Sequence, residues 1–353
     1  MVDYIVIGQG IAGTCLAYEL LKAGKAILVI DKLDEKSSSR VAAGIFNPMV
    51  FKRLTKSWNA DKAIQYLYSF YPELEGLTGN HFFYPKDFIR IFGSDFEREQ
   101  WSLKRYDSNE GTFLGDQLED EKYPFGAGKV NSAGFVDVTK LLDGFKSYLK
   151  KENKYLENNI DYDQISIVEN SIKISINKIE IEAKAIVFCE GANGVYNPWF
   201  DWLPYSLVKG DVLDVQFENF KSDQILNKGC FMLPKDLGIY KVGSTYDWKD
   251  LSNEPSQKAR LDILSRMEKI TNLPYNVINQ VAGIRPASRD RRAFLGRHPK
   301  YNQLHIFNGL GTKGVMLGPI LSKQMVDFLV NDKELEKEVD IRRYFKLFAT
   351  TNE

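Results

Sequence analysis

Tyr4-Ile5-Val6-Ile7-Gly8-Gln9-Gly10-Ile11-Ala12-Gly13 is the stretch whose reading decides the fold. Four apolar residues read as a short buried strand, and glycines at the G-x-G-x-x-G spacing follow at once. A helical pattern runs from about Thr14 to Ala23, and a second apolar run, Ala26 to Ile30, ends on Asp31. Together these make a dinucleotide-binding βαβ unit. Gly8 serves the tight turn out of the strand. Gly10 lets the backbone approach a pyrophosphate, and Gly13 lets helix pack closely on strand. The helix start, with Ile11 and Ala12, offers free N–H groups and a positive dipole end to phosphates. Asp31 stands about 20 residues beyond the last glycine, where a carboxylate grips ribose hydroxyls. An acid there argues against a 2′-phosphate, hence against NADP. Lys32 belongs to the same expected contact.

The chain has 353 residues, which suits two domains or one with a large insertion. Hydrophobic residues make up 44% and aromatics 13%, enough for substantial cores. With 47 basic against 47 acidic residues, no net field attracts nucleic acid or an anionic membrane. Cys15, Cys189 and Cys230 lie far apart and lack metal-ligand spacing, so reduced thiols, a cytoplasmic location and no metal are expected. The first strand begins within four residues of Met1, leaving no room for a signal peptide before it, and no apolar run is long enough to span a membrane.

Further along, Ser37 to Pro48 is a loop rich in small residues, and a helix is expected near Ala60 to Tyr71. Strand-like runs follow at His81 to Tyr84 and Phe88 to Phe92, and an amphipathic helix at Val138 to Lys150. Ile165 to Val168 and Ile172 to Ile176 alternate as strands. Ala185 to Cys189 reads as a buried parallel strand ending in Glu190-Gly191, a second glycine contact for a cofactor. A mixed β region covers Ser206 to Thr245, a helix Ser256 to Ile270, and a strand Leu304 to Asn308. The turn Gly309 to Gly314 then opens a last helix, Val315 to Val330, before a charged, solvated segment, Asn331 to Asp340. The nucleotide-binding strands are thus split between the two ends and the middle of the chain. That interleaving favours a flavoprotein over a simple nicotinamide dehydrogenase. The expected class is α/β: a Rossmann-like cofactor domain (1–50, 130–205 and 281–353) with a discontinuous α+β substrate domain (51–129 and 206–280) on a mixed, largely antiparallel sheet.

Four blocks carry a family resemblance: Gly8 to Gly13 with Asp31; Arg40 to Ile45; Ile186 to Gly191; and Gly283 to Gly296 with Gly309 to Gly314. In their order and spacing they resemble the D-amino-acid oxidase superfamily, closest to its glycine oxidase and sarcosine oxidase branch. The resemblance implies FAD, held by Gly8, Gly10, Ile11, Ala12, Gly13, Asp31, Lys32, Arg40, Ala43, Gly44, Gly191, Gly311, Thr312, Lys313 and Gly314. It implies oxidation of the C–N bond of an amino acid or secondary amine, with hydride passing to flavin N5. It places Arg285, in Gly283-Ile284-Arg285-Pro286, on the substrate carboxylate, which its planar fork suits. Arg285 and Lys313 are the expected catalytic groups; Phe231, Arg53 and Ile45 join Arg285 in substrate binding. Lys56 is an alternative to Arg53 as second anion contact.

The chain departs from the branch in two places. Phe231 stands where glycine oxidases carry a tyrosine, and Thr312 near where a second arginine occurs. Both departures point away from glycine, toward a larger amine or a secondary amino acid. No cysteine follows Cys230, so the covalent flavin link of sarcosine oxidases is not expected. His81, His298 and His305 give no support for histidine-based acid–base chemistry, which a flavoprotein does not need. Two rival readings remain open: an oxidase of a modified tRNA wobble uridine, and a flavin-binding module with little turnover. A small-molecule amine or amino acid is the expected partner, while nucleic acid is not. The residues do not specify the amine, the electron acceptor or the oligomeric state.

Overall fold

The expected first strand forms over Val2–Ile7 and the helix over Ile11–Lys22, in a computed structural model that describes residues 1–351. The helix starts three residues earlier than its periodicity suggests. Glycine is a poor helix former, so Gly13 masks a first turn that begins directly after Gly10. Ile27–Asp31 lies parallel to Val2–Ile7 on one side, with Tyr155–Glu157 beyond it. On the other side Val2–Ile7 pairs in parallel with Ile179–Phe188, which pairs in parallel with Leu304–Asn308. The sheet is completed by Phe294–Arg297 and the hairpin Ile165–Ile167/Ile172–Ile176, all antiparallel. Both ends and the middle of the chain therefore meet in one eight-stranded sheet.

The helix Val138–Lys151 shows why these elements form. Asp137 caps it, accepting a hydrogen bond from Lys140 N at 3.1 Å. Val138, Leu141, Leu142, Phe145 and Leu149 fall on one buried face. Burying each such side chain contributes roughly 1.5–3 kcal/mol. They join one core with Ile11–Lys22, the helix Ala60–Thr78 and the helix Gly314–Asn331. Tyr71 ties that core together, donating to Val315 O at 2.6 Å.

A second eight-stranded sheet roofs the molecule. Its order is Tyr275–Arg285, Val208–Phe217, Ile239–Gly243, Phe231–Pro234, Ile225–Asn227, Phe88–Ile91, Ala127–Val130, Leu114–Leu118. All its pairs are antiparallel except Ile225–Asn227 with Phe88–Ile91. The helix Gln257–Met267 covers its outer face through Ile263 and Met267.

Three expectations change. The small-residue loop contains a helical turn, Ser38–Val41. A helix at Asp95–Arg105, absent from the sequence reading, is capped by Ser94 and buries only Trp101. The segment 331–340 is not wholly solvated: Leu335, Val339 and Asp340 are buried. No helix among the described residues is long and apolar enough to cross a membrane. All three cysteines are free and buried.

Candidate active site

The two sheets enclose a cavity of about 880 Å³ that runs from Asp31 at one end to Arg285 and Tyr246 at the other. Two helix N-termini open onto it. At the first, Gly10 is the N-cap without a side-chain cap of its own. Ser39 Oγ accepts from Ile11 N at 3.1 Å, while among the described residues nothing accepts from the N–H groups of Gly10 and Ala12. At the second, Lys313 precedes the helix Gly314–Asn331, again with no side-chain cap. The two starts touch: a Cβ on Gly314 would stand 3.0 Å from Ile11 Cγ2. Gly13 is the close-packing glycine, since a Cβ there would lie 1.9 Å from Gly8 O.

Asp31 is half-buried, and one oxygen accepts from Gln9 N at 3.0 Å. Burial raises its pKa against the pull of that hydrogen bond and of Lys146. Arg40 lies almost fully buried on the wall and donates to Asp143 Oδ1 at 2.5 Å. Glu190, beside Gly191, is held by Tyr162 and Asn197, each at 2.8 Å. The sequence reading missed Ser39, Glu190, Ser244 and Tyr246. Ser39 sits in the short helical turn and the others in loops or just past strand ends, with no periodicity to mark them.

Arg285 closes the far end. Its guanidinium donates to Ser244 Oγ at 2.8 Å and to Thr245 O at 3.2 Å. It lies 4.8 Å from the centre of the Tyr246 ring. No carboxylate lies within ion-pair distance of it among the described residues, and burial lowers its pKa from the usual value. Gly210 makes room for it, because a Cβ there would stand 2.0 Å from Arg285 Nη2. Lys313 Nζ donates to Asn47 O at 2.8 Å, and burial lowers its pKa to about 8.

Of the residues singled out from the sequence, Gly8, Gly10, Ile11, Ala12, Asp31, Lys32, Arg40, Ile45 and Phe231 line this one cavity. So do Ala43, Gly44, Gly191, Arg285, Gly311, Thr312, Lys313 and Gly314. Gly13 stands behind the wall, at the helix–strand contact. Arg53 does not reach the cavity, and the substrate role expected of it is corrected: its loop turns Phe51 and Leu54 inward, leaving Lys52 and Arg53 exposed. Lys56 is committed to Asp61, with Nζ at 2.8 Å from Oδ1.

The wall fits a dinucleotide cofactor: a glycine-lined cavity, two helix starts with no side-chain cap of their own, and a carboxylate at one end. The model of the FAD dependent oxidoreductase family, DAO, matches residues 3–328. The chain belongs to this family. A glycine oxidase of Bacillus licheniformis is 24% identical over 94% of this chain and 93% of its own. The tRNA 5-methylaminomethyl-2-thiouridine biosynthesis bifunctional protein of Campylobacter fetus subsp. fetus is 26% identical over 83% of this chain and 46% of its own. Among solved structures, iminodiacetate oxidase from Chelativorans sp. BNC1 superposes with a TM-score of 0.79, at 19% identity, covering 97% of this chain and 98% of its own. The chain is accordingly an FAD-dependent oxidoreductase with the fold of those oxidases.

Proposed function

We propose that the protein oxidises the C–N bond of a carboxylate-bearing amine, an amino acid or secondary amino acid, with Arg285 as the carboxylate receptor. One observation carries this reading: Arg285 is a desolvated guanidinium on the cavity wall, held only by neutral groups. An entering carboxylate completes its charge pairing and can bind through two parallel hydrogen bonds. FAD, when bound along the glycine-lined wall, supplies the acceptor for the hydride leaving the carbon next to nitrogen.

The rest of the work falls to the chain. Ser244, Thr245 and Tyr246 hold the guanidinium plane, so that fixing the carboxylate fixes the attached carbon. Phe51, Phe88 and Phe231 face the same space and keep water from it. Lys313, with a pKa of about 8, is mostly protonated at neutral pH and keeps a positive charge on the wall. Phe231 cannot donate a hydrogen bond, so the carboxylate relies on Arg285, and the apolar ring favours a substrate larger than glycine.

The test is the visible spectrum of the holoprotein, followed anaerobically as D- and L-amino acids, N-substituted glycines and glycine are added. Bleaching of the flavin by one class supports the proposal. A flavin that no carboxylate-bearing amine bleaches defeats it. The likeness to the bifunctional tRNA biosynthesis protein supports a second substrate, a modified uridine carrying the same C–N bond. Salt-dependent RNA binding by the holoprotein would favour that substrate.

A further inference from the structure

The roof sheet brings a second oriented polar group to the cavity. Arg90, Asn227, Phe231 and Gly243 are successive partners across four strands. Arg90 Nη1 donates to Asn227 Oδ1 at 2.7 Å, and Arg90 Nε donates to Glu97 Oε1 at 2.8 Å. Its guanidinium carbon also stands 5.2 Å from the centre of the Phe51 ring. A guanidinium has no acceptor, so the Asn227 atom facing it must be the carbonyl oxygen. The amide nitrogen is therefore turned away from Arg90, and among the described residues nothing accepts from it. Asn227 lines the cavity, as do Phe51, Phe88 and Phe231. The Phe231 ring reaches toward the Arg285 end, since a Cβ on Gly243 would stand 3.3 Å from its Cζ. The strand of Asn227 lies two strand spacings, about 10 Å, from the strand that ends beside Ser244.

We infer that Asn227 is a specificity-determining residue that donates to a second, uncharged oxygen of the substrate. The preferred substrate would then be an amino acid whose carboxylate sits on Arg285 and whose amide carbonyl or hydroxyl lies a few atoms away. This deepens the reading of the cavity as a carboxylate receptor and rests on it. The second oxygen is neutral because the Arg90 charge is already matched by Glu97, and the other neighbours are phenyl rings. A second carboxylate would lose its water there without gaining a free cation. Glycine leaves the Asn227 donor unpaired and the aromatic space unfilled.

The test uses three carboxylates that carry no amine: 4-carbamoylbutanoate, its apolar isostere 5-methylhexanoate, and glutarate. Their binding to the holoprotein is read from perturbation of the flavin spectrum. In the wild type, 4-carbamoylbutanoate should bind more tightly than glutarate. Its preference over 5-methylhexanoate should fall at least tenfold in Asn227→Leu, which keeps the bulk and removes the donor. A preference unchanged in Asn227→Leu, or glutarate binding most tightly to the wild type, overturns the inference and leaves the carboxylate receptor intact. If none of the three binds, the receptor and the inference fail together.

Discussion

Arg285 is held by a hydroxyl, a carbonyl and an aromatic face rather than by an acid, so its charge is available to a ligand. Arg285→Lys keeps the charge and loses the planar fork. It should cost at least ~2 kcal/mol of transition-state binding, about 30-fold in kcat/KM, with flavin content unchanged by absorbance. Gly210→Ala tests the same geometry from below. The added methyl meets the end of a flexible side chain, so it should displace the guanidinium, raise KM about tenfold or more, and leave the melting temperature near wild type. Lys313 carries a pH-dependent penalty. Its pKa falls from 10.5 to about 8 on folding, so the unfolded chain binds more protons between those values, and stability rises with pH across that window. Below pH 8 the full penalty applies, at most about 3 kcal/mol. Lys313→Met should therefore stabilise the flavin-free protein at pH 7, measured by denaturant titration, and lose that gain above about pH 10.

The first helix and first strand depend on one another through Gly13. A methyl there would meet backbone, which cannot step aside, so Gly13→Ala should destabilise by at least ~2 kcal/mol in denaturant titration and release flavin. This βαβ element was the most legible part of the chain, because turn, helix start and carboxylate each leave a residue-type signature at fixed spacing. Val138–Lys151 was legible for a related reason, with its apolar residues on one stripe. Asp95–Arg105 was not, because a helix that buries one tryptophan has almost no apolar period. The site was legible where glycine or arginine chemistry marked it. For Arg53, basic residue type alone suggested an anion contact, and type does not reveal which side of a turn faces the cavity. Asn227 and Tyr246 carry meaning only through partners distant in sequence, Arg90 and Arg285.

Across the whole molecule, the cavity is walled by both sheets, so cofactor binding and global folding are linked. FAD held at 100 times its Kd should stabilise the native state by about 2.7 kcal/mol, which for a chain of this size raises the melting temperature by about 4 °C. Differential scanning fluorimetry with and without added FAD measures it, and an unchanged melting temperature would contradict a cofactor held between the sheets. The equal count of acidic and basic residues adds that substrate affinity should change little with bulk ionic strength beyond the local pairing at Arg285.

The contact between Gly314 and Ile11 joins helix starts some 300 positions apart in the chain. On a ribosome adding roughly 5–20 residues per second, the glycine turn emerges first and waits roughly 15–60 s for the helix that completes the site. During that interval the nascent chain lacks the strand Leu304–Asn308 beside Ile179–Phe188, and the face carrying Cys15 is uncovered. The flavin-binding pocket therefore closes only once the helix Gly314–Asn331 has emerged, and until then the nascent chain lacks one of the two helix starts that face its cofactor.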